Sequence, residues 1–237
     1  MKKLIVILND LEASGKSTVS RAISTYLSDH EIRHQLVTSD ERDVDEHFEG
    51  EFWDMDEEIE LSQIIRALDK NQAVVIDVAS GLARNWADFC EAEELDTLLA
   101  EMDVEMTLVI PEHPSERCNE EIVDLVDLFS DQADYVIAHL PLEPKGSVPN
   151  KWKGSYAAKA TNYLGAVCLN LPAIGDDLAT ALESSGLDLC GAIDQMENLP
   201  RFAEVQLTQW IEACTETLQR AEDYLIPETS DGLVGAI

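Results

Sequence analysis

The chain has 237 residues, with 16 Lys and Arg against 48 Asp and Glu, a formal net charge of −32. At 45% hydrophobic residues it can bury a full-sized core, and its length suits one large α/β domain or two small ones. The acid excess argues against general nucleic-acid binding, which relies on Lys and Arg neutralising phosphates. An apolar run of roughly 18 residues, the length that spans a membrane, is absent.

Met1-Lys2-Lys3 is basic, but the apolar run behind it is short and meets Asn9, Asp10 and Glu12, so no export signal is expected. Five cysteines (Cys90, Cys118, Cys168, Cys190, Cys214) show no Cys-x-x-Cys spacing. An odd count without an export signal predicts reduced thiols and a cytoplasmic protein. The histidines show no ligand spacing, and no zinc site is expected.

In chain order, Leu4–Leu8 is an unbroken apolar run, the mark of a strand buried on both faces. A polar loop, Asn9–Gly15, leads to a helix over Lys16–Asp29, where Val19, Ala22, Ile23, Tyr26 and Leu27 form one apolar stripe. Gln35–Thr38 reads as a strand, Asp40–Glu60 as an acidic tract with twelve acids, Glu57–Leu68 as a helix and Ala73–Val78 as a strand. Met106–Ile110 (strand), Ser115–Phe129 (helix), Tyr135–Leu140 and Ala166–Leu171 (strands) continue the alternation, and a long amphipathic helix over Pro200–Leu225 closes it. Such alternation predicts an α/β fold, a mostly parallel sheet with helices on both faces. With no internal repeat and no long linker, one domain over 1–226 is expected, with a flexible tail over 227–237.

One motif is specific. Gly15-Lys16-Ser17-Thr18 lies at the junction of the first strand and first helix, where free helix N–H groups and the positive dipole end favour a phosphate. Lys16 would reach the β- and γ-phosphates of a nucleotide, and the Ser17 hydroxyl would complete a Mg²⁺ shell, with Ser14 and Thr18 in the same loop. The glycine expected six residues before the lysine is replaced by Asp10.

Asn9–Thr18 resembles the partitioning and division-site ATPases of the ParA/MinD type, whose P-loop reads Asn-Gln-Lys-Gly-Gly-x-Gly-Lys-[Ser/Thr]-Thr. Asn9, Gly15, Lys16, Ser17 and Thr18 match; Leu11 stands in place of the signature lysine, and Glu12-Ala13 replace two glycines. The resemblance implies a P-loop NTPase fold, ATP and Mg²⁺ as cofactors, a nucleotide-dependent homodimer and a protein partner whose identity the sequence does not name. It also implies roles for two acids. Asp40, after the second strand, would orient water or hold Mg²⁺ through water, and Asp77, ending Val74-Val75-Ile76-Asp77, would be a Mg²⁺-water ligand. Cys168–Pro172 resembles the strand end that lines the base pocket, so Pro172 is a candidate base contact. The signature lysine of that family reaches across the dimer, and its replacement by Leu11 bears on trans-activated hydrolysis.

Other features have plainer alternatives. Arg84 could visit the phosphates from the loop after Asp77, or be a surface residue. The acidic tract is a solvated face or, given Phe48, Phe52 and Trp53, a flap that buries aromatics. Pro144–Gly175 holds no acid and four of the eight lysines, Lys145, Lys151, Lys153 and Lys159. The 145–159 stretch is either a loop and short helix that happens to be basic or a contact site for nucleotide phosphates, for the acidic tract of a second subunit or for a nucleic acid. No membrane contact is expected, since the tail after Leu225 carries acids and no Lys or Arg.

The expected function is an ATP-binding switch with slow ATPase activity. Two alternatives stay open: a small-molecule or nucleoside kinase, whose usual arginine-rich lid is missing here, and a non-hydrolysing interaction protein with a degenerate nucleotide site. The absence of an Asn-Lys-x-Asp guanine signature favours ATP over GTP.

Overall fold

A computed structural model describes residues 1–112, 115–141 and 152–228. Seven parallel strands form one sheet: β1 (Lys2–Ile7), β2 (His34–Thr38), β3 (Glu51–Phe52), β4 (Ala73–Asp77), β5 (Val104–Glu112), β6 (Asp134–His139) and β7 (Val167–Asn170). Their order across the sheet is β3-β2-β4-β1-β5-β6-β7. The apolar runs of β1 and β4 are buried because they sit at the centre, covered on both faces.

Alternation along β1 divides the core. Ile5 and Ile7 face α1 (Lys16–Asp29), α7 (Asp176–Ser185), α8 (Leu189–Asp194) and α9 (Arg201–Leu218). Leu4 and Val6 face α2 (Leu61–Lys70), α3 (Ala83–Ala92), α4 (Leu95–Glu101), α5 (Glu116–Phe129) and α6 (Tyr156–Tyr163). Each face thus buries one helix layer, and every βα loop opens at the carboxyl ends of the strands, where open α/β sheets bind ligands.

Two expectations are refined. The acidic tract is not simply a solvated face: it carries edge strand β3, paired in parallel with β2, while Trp53 and Met55 are buried in the core. The last helix is not continuous. It tightens into a 3₁₀ turn over Gln219–Ala221 before α10 (Glu222–Leu225). There Lys3 Nζ and Thr107 Oγ1 donate to the carbonyls of Asp223 and Tyr224, both at 2.7 Å, tying the closing turn to β1 and β5. Of the tail, Pro227 is buried and the Glu228 carbonyl accepts from the Met1 amine; 229–237 lie outside the described residues. No described helix is long and apolar enough to cross a membrane.

Candidate functional site: the β1–α1 loop

The loop after β1 is built from its own polar groups. Asn9 Oδ1 accepts from the Leu11 N–H (2.7 Å), and Asn9 Nδ2 donates to the Pro111 carbonyl (2.8 Å), fixing the loop to the end of β5. Ala13 (φ 52°) and Gly15 (φ 83°) both take left-handed backbone. At Gly15 that conformation favours glycine, and a Cβ there would press into the Leu140 side chain. Helix α1 starts directly after Gly15 with no side-chain cap and no acid in its first turn, so its first N–H groups remain available to an anion.

Lys16 is buried, and its ammonium donates to Ser80 Oγ (2.8 Å) and the Leu11 carbonyl (3.3 Å), with Ser14 Oγ at 3.5 Å. Burial lowers its pKa, opposed by the nearby carboxylates of Asp77, Asp10, Asp40 and Asp43. Ser80 in turn donates to the Leu11 carbonyl, so the loop after β4 closes over the loop after β1.

Asp77 ends β4 beside Ile7 of β1 and is 2% exposed. Its Oδ2 accepts from Ser20 Oγ at 3.2 Å. Burial, with the charge of Asp43 nearby, pushes its pKa up to about 7, against the neighbouring Ser17 hydroxyl and the charges of Lys16 and Arg21. Ser17 Oγ donates to Asp43 Oδ2 at 2.5 Å. A serine hydroxyl with two converging carboxylates is a hard-oxygen donor set, and it fits Mg²⁺, which is held by one or two carboxylates with phosphate oxygens and water. Among the described residues there is no group of three or more His, Cys, Asp or Glu able to hold a metal alone.

The structure thus brings together Ser14, Gly15, Lys16, Ser17 and Asp77. It places the other expected residues differently. Asp40 caps a short 3₁₀ turn and is gripped by Arg42 (2.6–3.2 Å), which holds its carboxyl below the usual range. It lies within electrostatic reach of Lys16 without a hydrogen bond to it. Thr18 Oγ1 faces Cys190 Sγ at 3.5 Å, and the Pro172 carbonyl accepts from Trp210 Nε1 (2.9 Å). Arg84 is exposed and paired with Asp88 at 2.8 Å. Glu12 is exposed. Lys153 and Lys159 are exposed; Lys145 and Lys151 lie outside the described residues.

The departures from the loop pattern acquire structural reasons. Asp10 Oδ1 accepts from the N–H groups of Gly81 and Ala83 (3.0 and 2.8 Å), anchoring the turn into α3. Leu11 is 6% exposed and packs in the core with Trp86 and Val78. Three residues escape a reading of the sequence: Asp43, one acid among twelve; Ser80; and Ser20. Only Ser20 has a local signal, since it lies one turn beyond Ser17 and so shares its helix face.

No protein-family model matches this chain, and no curated protein does. Solved structures do. MinD in the MinC:MinD cell division protein complex of Aquifex aeolicus is 13% identical, with 92% of this chain and 96% of that one aligned at a TM-score of 0.50. A putative plasmid partition protein of Borrelia burgdorferi bound to AMPPNP aligns over 91% of this chain and 99% of its own (11%, TM-score 0.48). McdA of Cyanthece aligns over 92% and 100% (13%, TM-score 0.47). At such identities the likeness is one of fold. The seven-stranded parallel sheet with its β1–α1 loop has the α/β fold of MinD, the same P-loop group that Asn9–Thr18 resembles in sequence.

Proposed function

We propose that this protein is a nucleotide-operated switch that binds ATP with Mg²⁺ in the β1–α1 loop and changes its assembly state or partner with the nucleotide. The observation that carries the reading is the convergence of Lys16, Ser17, Asp43 and Asp77 on an uncapped helix start at the carboxyl edge of β1 and β4. In this reading the α1 N–H groups and Lys16 take the phosphates, Lys16 exchanging Ser80 Oγ for a phosphate oxygen. Ser17, with Asp43 or Asp77, would hold Mg²⁺, which supplies charge neutralisation at the phosphates. Ionised Asp77 is favoured once a cation lies beside it. Slow hydrolysis, with Asp40 or Asp43 positioning water, and ATP-dependent homodimerisation are the finer parts of the proposal.

A second reading, binding without hydrolysis, is favoured by Asp10 and Leu11, which serve the turn into α3 and the core. Calorimetry and light scattering separate these. ATP–Mg²⁺ binding that Lys16→Ala abolishes, with a monomer-to-dimer shift in ATP but not ADP, is expected. No ATP binding by the folded protein, or binding indifferent to Lys16→Ala, would overturn the switch. Binding without phosphate release would favour the second reading.

A further inference from the structure

One guanidinium stands between the nucleotide loop and the acidic tract. Arg21, one turn of α1 beyond Ser17, is 3% exposed, and every nitrogen of its planar fork is engaged. Its Nε donates to both carboxylate oxygens of Asp194 in α8 (2.9 and 3.1 Å). Nη1 donates to the Ser17 carbonyl (3.4 Å) and Nη2 to the Asp43 carbonyl (3.3 Å). The guanidinium carbon lies 5.2 Å from the centroid of the Phe48 ring.

The two carbonyls belong to the residues whose side chains meet, since Ser17 Oγ donates to Asp43 Oδ2 at 2.5 Å. The fork and this bond together close a ring between α1 and the tract. Apolar packing does not place Asp43: the 3₁₀ turn over Glu41–Asp43 buries no residue, and Val44, Asp45 and Glu46 after it are exposed. Its position comes from Arg21, with Phe48 returning over the same guanidinium. A lysine at this point would carry the same charge on one nitrogen of a flexible stem. It could not hold Asp194, Ser17 and Asp43 in one fixed plane.

We propose that Arg21 is the positioning residue of the Mg²⁺ site: it fixes Asp43 against Ser17 and so sets how much the metal adds to nucleotide binding. The proposal rests on the reading of the β1–α1 loop as an ATP–Mg²⁺ site. Arg21 acts through the donor residues that it orients, as outer partners of metal ligands do. Lys16 and the α1 N–H groups take the phosphates without it, so nucleotide binding in the absence of metal does not depend on the fork. Asp194 holds the guanidinium from α8, and Phe48 holds it from the tract.

The test is calorimetric titration of the full chain with ATP, once with Mg²⁺ and once with EDTA. Arg21→Lys keeps the charge, so affinity in EDTA should stay within about threefold, while the gain that Mg²⁺ brings should shrink at least about tenfold. In an Asp43→Asn background Arg21→Lys should remove no further Mg²⁺ gain, because both changes act at one point. Phe48→Leu leaves the hydrogen bonds and removes the ring. It should give a smaller loss of the same kind, and it decides the matter where Arg21→Lys does not fold. Equal losses with and without Mg²⁺, losses of Arg21→Lys and Asp43→Asn that add, or an unchanged Mg²⁺ gain in the folded variants overturn the proposal. So does an unmutated chain that binds ATP without any gain from Mg²⁺. ATP binding that is absent from the unmutated chain, or indifferent to Lys16→Ala, instead overturns the nucleotide reading beneath it.

Discussion

Replacing Asp77 by Asn should stabilise the nucleotide-free protein at alkaline pH, the reverse of the usual result of altering a fully buried polar residue. The carboxyl titrates near an ordinary 3.8 when unfolded and at about 7 when folded, chiefly because burial penalises its charge. From about pH 4 to 7 the folded chain holds a proton that the unfolded chain has released, so stability falls as pH rises through that window and is flat above it. At about 1.4 kcal/mol for each tenfold change in acidity, the full difference is on the order of 4 kcal/mol. Asn keeps an oxygen to accept from Ser20, but it removes the largest favourable charge beside Lys16. A net gain of about 1 to 3 kcal/mol at about pH 8 is therefore expected. Urea unfolding at a series of pH values, without divalent cations, measures it. The advantage of Asp77→Asn should grow from about pH 4 to 7 and then level off. A pH-independent difference, or a variant less stable at about pH 8, would refute the electrostatic account of the site.

Three further outcomes follow from the same geometry. Gly15→Ala places a side chain at φ 83° against Leu140 and should cost about 1 to 3 kcal/mol by thermal unfolding, together with nucleotide affinity. Leu11→Lys restores the signature residue of the resembled family but puts an ammonium where the side chain is 6% exposed. It should lower stability by about 2 to 4 kcal/mol in chemical denaturation without raising ATP turnover. The raised pKa of His139, about 9, gives a contribution that is whole below about pH 6.5 and lost as pH rises through 9. Unfolding of His139→Gln should lack that alkaline loss.

What could be read from the sequence is what a single residue pattern decides. The stripe from Val19 to Leu27 gives α1 with both ends correct, and the apolar runs give β1 and β4, because those segments bury their side chains against many neighbours. Helix α3 has the right spacing in Ala83, Trp86, Ala87 and Cys90, but three of its four core residues are small and set it only faintly apart from a loop. Strand β3 is two residues inside an acidic run, held by pairing with β2 rather than by its own pattern. At the site, Lys16, Ser17 and Asp77 follow from position within strand–loop–helix units. Asp43 does not, since which of many equal acids reaches Ser17 depends on how the tract folds back over α1. That return is set by Arg21, which donates to Asp194 and to the Asp43 carbonyl and stacks over Phe48 at 5.2 Å.

The short edge strand has a consequence for how this protein behaves in concentrated or acidified solution. An open sheet edge offers unpaired N–H and C=O groups to any neighbouring chain. Here that edge is two residues long and is flanked by Glu49, Asp54 and Asp56. Like charges on two approaching molecules keep the edges apart at neutral pH. Neutralising those carboxylates removes the repulsion. Acidification is then the condition under which copies would join edge to edge.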